Sequence, residues 1–310
     1  MPDTVIQVVV PLFGLMVVGF LAGRFHWMPR EGSAILGRFV FVIALPALVF
    51  ISLSRVAVAE FFDWRFLGVL GGGMLATMVI GVLVSRVVFR NGLADTGMHG
   101  LSAMFSSTGY IGLPLILGAF GNQALVPGIV GAVITGAVFM PIAIVFAELE
   151  RGERRGGMTL APLLGVARNP LLLATVAGLS VSAMGVGVPK LAATLCQFLA
   201  DAYVPCAMFS AGLFMSRGVT DAGRAEIGWL VLAKLVMHPL ITWLLAVYVF
   251  ELKPTLMAVA VLQAALPTGV PVFVLAQHYG TFVTRSNAVI VISTGLSIFS
   301  LLGILVFVAR

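Results

Sequence analysis

The chain has 310 residues, of which 60% are hydrophobic and only 10% charged, with a formal net charge of +6 and a mean hydropathy of +1.13. A soluble domain is roughly a quarter charged, so this composition excludes a water-soluble fold. Its continuous apolar runs exclude a β-barrel, leaving an all-α integral membrane protein. The excess of positive charge does not point to nucleic acid, because the basic residues stand singly between apolar runs instead of clustering.

Ten transmembrane helices are expected, at residues 4–23, 34–53, 65–89, 97–120, 124–147, 163–184, 190–216, 225–250, 254–280 and 285–309. Each approaches or exceeds the ~20 residues needed to cross the hydrocarbon layer. The first has no basic segment before it and is long enough to span, so it is expected to remain as the first helix and not to be a cleaved signal. In the second, Arg38 near one end is expected to snorkel towards the interface. The fourth is interrupted by Ser106-Ser107-Thr108-Gly109-Tyr110-Ile111-Gly112-Leu113-Pro114. After the fifth comes the one sizeable hydrophilic stretch, Glu148 to Thr159. It separates a first repeat, 1–148, from a second, 163–310, through a loop at 149–162.

Within the seventh span, Asp201 lies four residues before Pro205. An ionisable residue at that depth marks a pathway or relay, so Asp201 is a coupling-ion candidate for a proton or sodium ion; the alternative is a partner for a neighbouring cation. Cys196 and Cys206 are small apolar helix residues, too few for a disulfide framework or a metal site. No cofactor is expected. Lys234 and His238 share a face of the eighth span at i and i+4, where a histidine could titrate near neutrality; the favoured reading is that both are structural. In the ninth, Gln263 precedes a second interruption, Ala265-Leu266-Pro267-Thr268-Gly269-Val270-Pro271.

The two halves match at a constant offset of 159. Pro11 meets Pro170, Gly19 meets Gly178, Pro46 meets Pro205 and Phe50 meets Phe209. Chance pairing would give about 0.3 proline–proline matches at one offset, against the two found. The same offset sets the two interruptions opposite each other. With five spans per half, the second half enters the membrane from the other side, giving an inverted 5+5 repeat. Ten basic residues (Arg24, Arg30, Arg86, Arg90, Arg151, Arg154, Arg155, Arg217, Arg224, Arg285) fall on one side and five (Arg55, Arg65, Lys190, Lys253, Arg310) on the other. The richer side is cytoplasmic, which puts both termini outside and residues 149–162 inside.

A helix broken at membrane depth frees backbone groups that lipid cannot satisfy, so breaks persist only in buried or water-lined positions. Paired breaks in two halves point to a transporter's substrate site. Gly109, Gly112 and Pro114 are expected to stop the helix in the first, and Pro267, Gly269 and Pro271 in the second. Each restarting half-helix offers N–H donors and a partial positive charge to an anion. Ser106, Ser107, Thr108 and Thr268 add hydroxyls, and Gln263 an amide. These eleven residues form the expected substrate site.

The segment Leu266-Pro267-Thr268-Gly269-Val270-Pro271-Val272-Phe273-Val274-Leu275-Ala276 resembles the ninth-helix motif of the auxin efflux carrier family, and Thr108-Gly109-Tyr110-Ile111-Gly112-Leu113-Pro114-Leu115 resembles its fourth-helix motif. That family includes plant auxin exporters and bacterial permeases assigned to malonate or malate. The resemblance implies a fold in which broken helices 4 and 9 cross at the site. Helices 3–5 and 8–10 would then form a transport domain moving, elevator-like, against a scaffold of helices 1, 2, 6 and 7. It also implies a homodimer and, for a bacterial permease, the inner membrane. One position departs: the family often has asparagine before the fourth-helix threonine, where this chain has Ser107.

The function expected is secondary transport of a small organic anion, a mono- or dicarboxylate such as malonate, malate or an auxin-like acid. A sodium-coupled carrier of bile-acid type is the alternative within transport. A membrane-embedded enzyme is the alternative outside it, but the chain has no HExxH, nucleophile elbow or Walker motif. A sensor would need an output domain, and the longest loop is about a dozen residues.

Overall fold

In hydrocarbon a backbone must satisfy its own N–H and C=O groups, and a single segment does so only as a helix. The computed structural model describes residues 2–29, 31–56, 58–155, 168–216 and 223–308, and its elements there are all helices, with no strand among the described residues. Large apolar side chains such as Trp64, Leu191, Phe198 and Phe299 stand on its outer surface, as they do where the solvent is lipid. The molecule is a multi-pass membrane protein.

In chain order the elements are α1 (Pro2–Arg24), α2 (Gly32–Phe39), α3 (Leu45–Leu53), α4 (Val58–Phe61), α5 (Trp64–Val87), α6 (Leu93–Met104), α7 (Leu113–Phe120), α8 (Leu125–Ile134) and α9 (Met140–Arg155). The second half contains α10 (Pro170–Met184), α11 (Lys190–Asp201), α12 (Tyr203–Met215), α13 (Arg224–Leu232), α14 (His238–Leu244), α15 (Pro254–Ala265), α16 (Val270–Tyr279) and α17 (Val283–Val308). Five helical stretches are long and apolar enough to cross a membrane: Gly32–Leu53, Trp64–Val87, Asn122–Arg151, Lys190–Met215 and Arg224–Val249. Val10–Arg24, Thr108–Phe120, Pro170–Met184 and Pro254–Ala265 are shorter apolar helices. Residues 156–162 of the central loop and 163–167 of the sixth span lie outside the described residues, as do Arg30, Arg217 and Arg310.

The prolines behave differently from the expectation. Pro114 does not break its helix: Thr108–Gly112 is a π-helical turn that runs directly into α7, where Pro114 is the second residue. The same arrangement recurs at Val40–Ala44 before Pro46, at Thr135–Phe139 before Pro141, and at Ala233–Met237 before Pro239. A proline in a helix lacks one donor and its ring presses on the carbonyl four residues back. Widening the preceding turn to i→i+5 bonding relieves that pressure, so the helix bends and continues. The residues that actually leave helical geometry are Phe105–Ser107 in the first segment and Leu266–Gly269 in the second. Pro271 opens α16 within its first turn, where a missing N–H costs nothing.

Two sets of helices pack closely among themselves. α1 lies along α12, and α3 against α10 and α11; separately, α5 packs on α6 and α14, and α6 on α9. At the first contact a side chain on Gly19 would strike the Phe209 carbonyl. At the second, a Cβ on Gly178 would fall 2.9 Å from the Phe50 carbonyl oxygen. Small residues admit such backbone approaches in membranes. These glycines and phenylalanines are the pairs related by the 159-residue offset. A polar cluster ties the second set together. Arg285 meets Asp95 at 2.5 Å and Glu226 at 2.8 Å, and Asn91 donates to Glu226 at 2.6 Å. It joins the starts of α6, α13 and α17.

Candidate functional site

The two interruptions lie side by side. Ser106 and Thr268 form an isolated antiparallel bridge, in which the Ser107 amide donates to the Pro267 carbonyl at 2.9 Å and the Gly269 amide to the Phe105 carbonyl at 3.1 Å. Each break thereby satisfies part of the backbone that the other exposes. The Thr268 hydroxyl donates to the Ser102 carbonyl at 3.0 Å, and its amide to the Ser293 hydroxyl at 3.1 Å. Ser106, Ser107, Thr108 and Thr268 are all buried. At Gly112 the segments are also in close contact: a Cβ there would overlap the Leu266 side chain.

Restart of the first segment is centred on the Ser107 carbonyl, which accepts from the amides of Tyr110, Ile111 and Gly112 at 2.9–3.3 Å. Around it lies a small pocket of about 50 Å³ whose lining includes Ser106, Ser107, Thr108 and Gly109. The Thr108 hydroxyl is buried there without a hydrogen-bond partner. Such a group in a native structure calls for an explanation, and its place in the pocket makes it a candidate donor to a ligand.

This pocket adjoins a cavity of about 760 Å³, with Phe41, Tyr110, Met140, Asn169 and Pro271 lining both. The larger cavity is mostly apolar, and Arg38 is the sole lysine or arginine among its described lining residues. α16 begins on its wall, at Val270 and Pro271, and α10 begins there at Asn169, whose carboxamide accepts from the Leu171 amide at 2.9 Å. An apolar space with an arginine and restarting helix ends suits an organic anion. A second cavity, of about 540 Å³, is lined by Arg55, Asn122, Gln197, Asp201 and Tyr203 among others. It shares no lining residue with the first, and Tyr203 stands between it and the breaks, its hydroxyl donating to the Gly109 carbonyl.

The expected site residues therefore divide. Ser106, Ser107, Thr108, Gly109 and Pro271 line the pocket. Pro267, Thr268 and Gly269 instead hold the first break in place through the bonds above. Gly112 and Pro114 are buried packing positions on the far side of the restart. Gln263 is turned towards α8: its amide donates to the Pro127 carbonyl at 3.0 Å, in space left by Gly131. Asp201 is exposed and accepts from Gln197 at 2.8 Å in the second cavity. Arg38, Asn169, Tyr110 and Tyr203 were not among the expected site residues. Asn169-Pro170 carried a helix-start signal that the expected sixth span, at 163–184, ran straight through.

The model of the family described as membrane transport protein matches residues 4–156 and 157–305. A candidate malonate transporter of Rhizobium meliloti is 32% identical over 301 residues, covering 96% of this chain and 93% of the other. An uncharacterized transporter of Methanothermobacter thermautotrophicus is 27% identical over 96% of this chain and 95% of its own. Auxin efflux carrier component 8 of Arabidopsis thaliana is 25% identical over 89% of each chain.

Proposed function

This chain belongs to the membrane transport protein family that the auxin efflux carriers share, and from that premise we propose that it is a secondary transporter of a small organic anion, a mono- or dicarboxylate such as malonate or malate. One observation carries the reading: two interrupted segments are bonded to each other beside a cavity that holds an unpartnered threonine hydroxyl and an arginine. The resemblance to a malonate transporter over nearly the whole chain favours a short carboxylate. A carboxylate would take its donors from Thr108 and the restarting helix ends, with Arg38 drawing it into the cavity.

The architecture proposed is ten spans in an inverted 5+5 repeat, with the fourth and ninth crossing at their breaks. The reciprocal contacts of Gly19 with Phe209 and Gly178 with Phe50 support a two-fold relation between the halves. The separate packing of α1, α3, α10, α11 and α12 supports a scaffold of spans 1, 2, 6 and 7, against which the rest moves. Two cavities without common lining fit alternating access, with the Arg38 cavity facing the cytoplasm by the distribution of basic residues. Both termini are then outside, in a bacterial inner membrane. No catalytic role is assigned to the site, whose described lining residues include no carboxylate.

Purified protein in liposomes tests this. Radiolabelled malonate, malate or an auxin-like acid is expected to accumulate, and Pro271→Ala is expected to cut the flux several-fold. No flux of any carboxylate, with chemical alteration of a lipid instead, would favour the enzyme.

A further inference from the structure

Lys234 lies in the π-helical turn Ala233–Met237 and its side chain is fully buried. Its amine stands 3.0 Å from the Ser106 hydroxyl, 2.5 Å from the Ala264 carbonyl oxygen and 3.1 Å from His238 Nδ1. An ammonium has three protons and no acceptor site. Here it finds three partners, one from the first break, one from the last turn before the second, and one from its own helix. If the amine is charged, the imidazole nitrogen that meets it must accept, with the His238 proton on Nε2.

Among the described residues no carboxylate lies within ion-pair distance of Lys234. The charged and titratable groups on the surrounding elements are engaged elsewhere or sit at element ends. Asp95 of α6, Glu226 of α13 and Arg285 of α17 pair with one another, with His99 3.7 Å from Glu226. α15 has no titratable side chain, and α5 has only Arg65 and Arg86, at its ends. What faces the amine is therefore one backbone carbonyl, of Ala264, and two uncharged polar side-chain atoms, of Ser106 and His238. α6 ends at Met104 and α15 at Ala265, so two half-helix C-termini, each with about half a negative charge, converge where Lys234 enters. Broken-helix transporters hold coupling cations at such ends and their unwound carbonyls.

We propose that the Lys234 ammonium is a tethered counter-cation that occupies the place of a coupling sodium ion at the joined breaks, so that the carrier runs without sodium. The consequence for flux rests on the transporter reading above, whereas the cation site stands on the contacts alone. It also removes the need for Asp201 to hold sodium.

The test is thermal unfolding of detergent-purified protein in sodium, methylammonium or choline chloride at equal ionic strength. The wild type is expected to unfold at the same temperature in all three. Lys234→Ala is expected to unfold lower in choline and to recover part of the loss, saturably, in sodium or methylammonium. A Lys234→Ala variant indifferent to the cation would overturn the proposal. So would a saturable sodium effect on the wild type, which is readable even if the variant does not fold. Lys234→Met provides the second variant: stability and flux equal to wild type would show that no charge is needed there. Because the unfolding series uses no carboxylate, a failure of all uptake would sink the transporter reading and leave the cation result standing.

Discussion

At the scale of single residues, Thr108 and Arg38 separate binding from folding. The Thr108 hydroxyl has no partner in a buried position, so its loss relieves the protein of an unsatisfied polar group. Thr108→Val is expected to hold or raise stability by about 1 kcal/mol while weakening carboxylate binding about tenfold or more, the loss of one hydrogen bond to a charged group. Thermal unfolding and binding measured on one preparation check both halves; a parallel loss of the two would make Thr108 structural. Arg38 is exposed in the cavity wall. Arg38→Gln should raise the KM for a dicarboxylate about tenfold with little change in unfolding temperature, since an exposed charge contributes little to stability. The hydroxyl cluster at Ser106–Thr108 was legible in the sequence, because short polar side chains inside an apolar run compete for the backbone. The partners of Lys234 were not. Its i,i+4 spacing with His238 gives a helix face, and nothing in a linear pattern says which distant carbonyl that face meets.

At the scale of elements, the all-helical character could be read from composition, and most of the described helices begin and end within a few residues of an expected apolar run. The breaks were legible as regions but misplaced in detail. Glycine and proline were taken as the points of rupture, whereas Gly109, Gly112 and Pro114 lie in a π-helical turn and the helix after it. Prolines that follow a widened turn bend a helix without ending it, and the sequence carries no sign of where a turn will widen. Gly112 matters for another reason, the close approach of Leu266. Gly112→Val is expected to destabilise the protein by about 1–3 kcal/mol, the usual cost of overpacking, and to lower flux by pushing the breaks apart. A variant of unchanged stability would mean that the two segments are not held as close as the bonds between them require.

At the scale of the whole molecule, two sets of helices pack closely among themselves, and the cavities of about 760 and 540 Å³ share no lining residue. The proposed two-fold relation between the halves, suggested by the offset of 159, is supported by the reciprocal glycine contacts. If the cavities open to opposite sides of the membrane, cysteines in them should label from opposite sides. With Cys196 and Cys206 replaced by serine, Gln277→Cys in the first cavity should react with an impermeant thiol reagent from the cytoplasmic face. Asn122→Cys in the second should react from the outer face. Labelling of both from one side would contradict the proposed orientation and alternating access together.

The most direct measurement is equilibrium binding of radiolabelled malonate to the detergent-purified protein, with malate, an auxin-like acid and the uncharged diamide of malonate as competitors. The account predicts saturable binding displaced by the acids, not displaced by the diamide, and weakened about tenfold or more in Thr108→Val. Binding of the diamide as well as the acids, or binding untouched by that substitution, would show that the joined breaks are not where an anion is held.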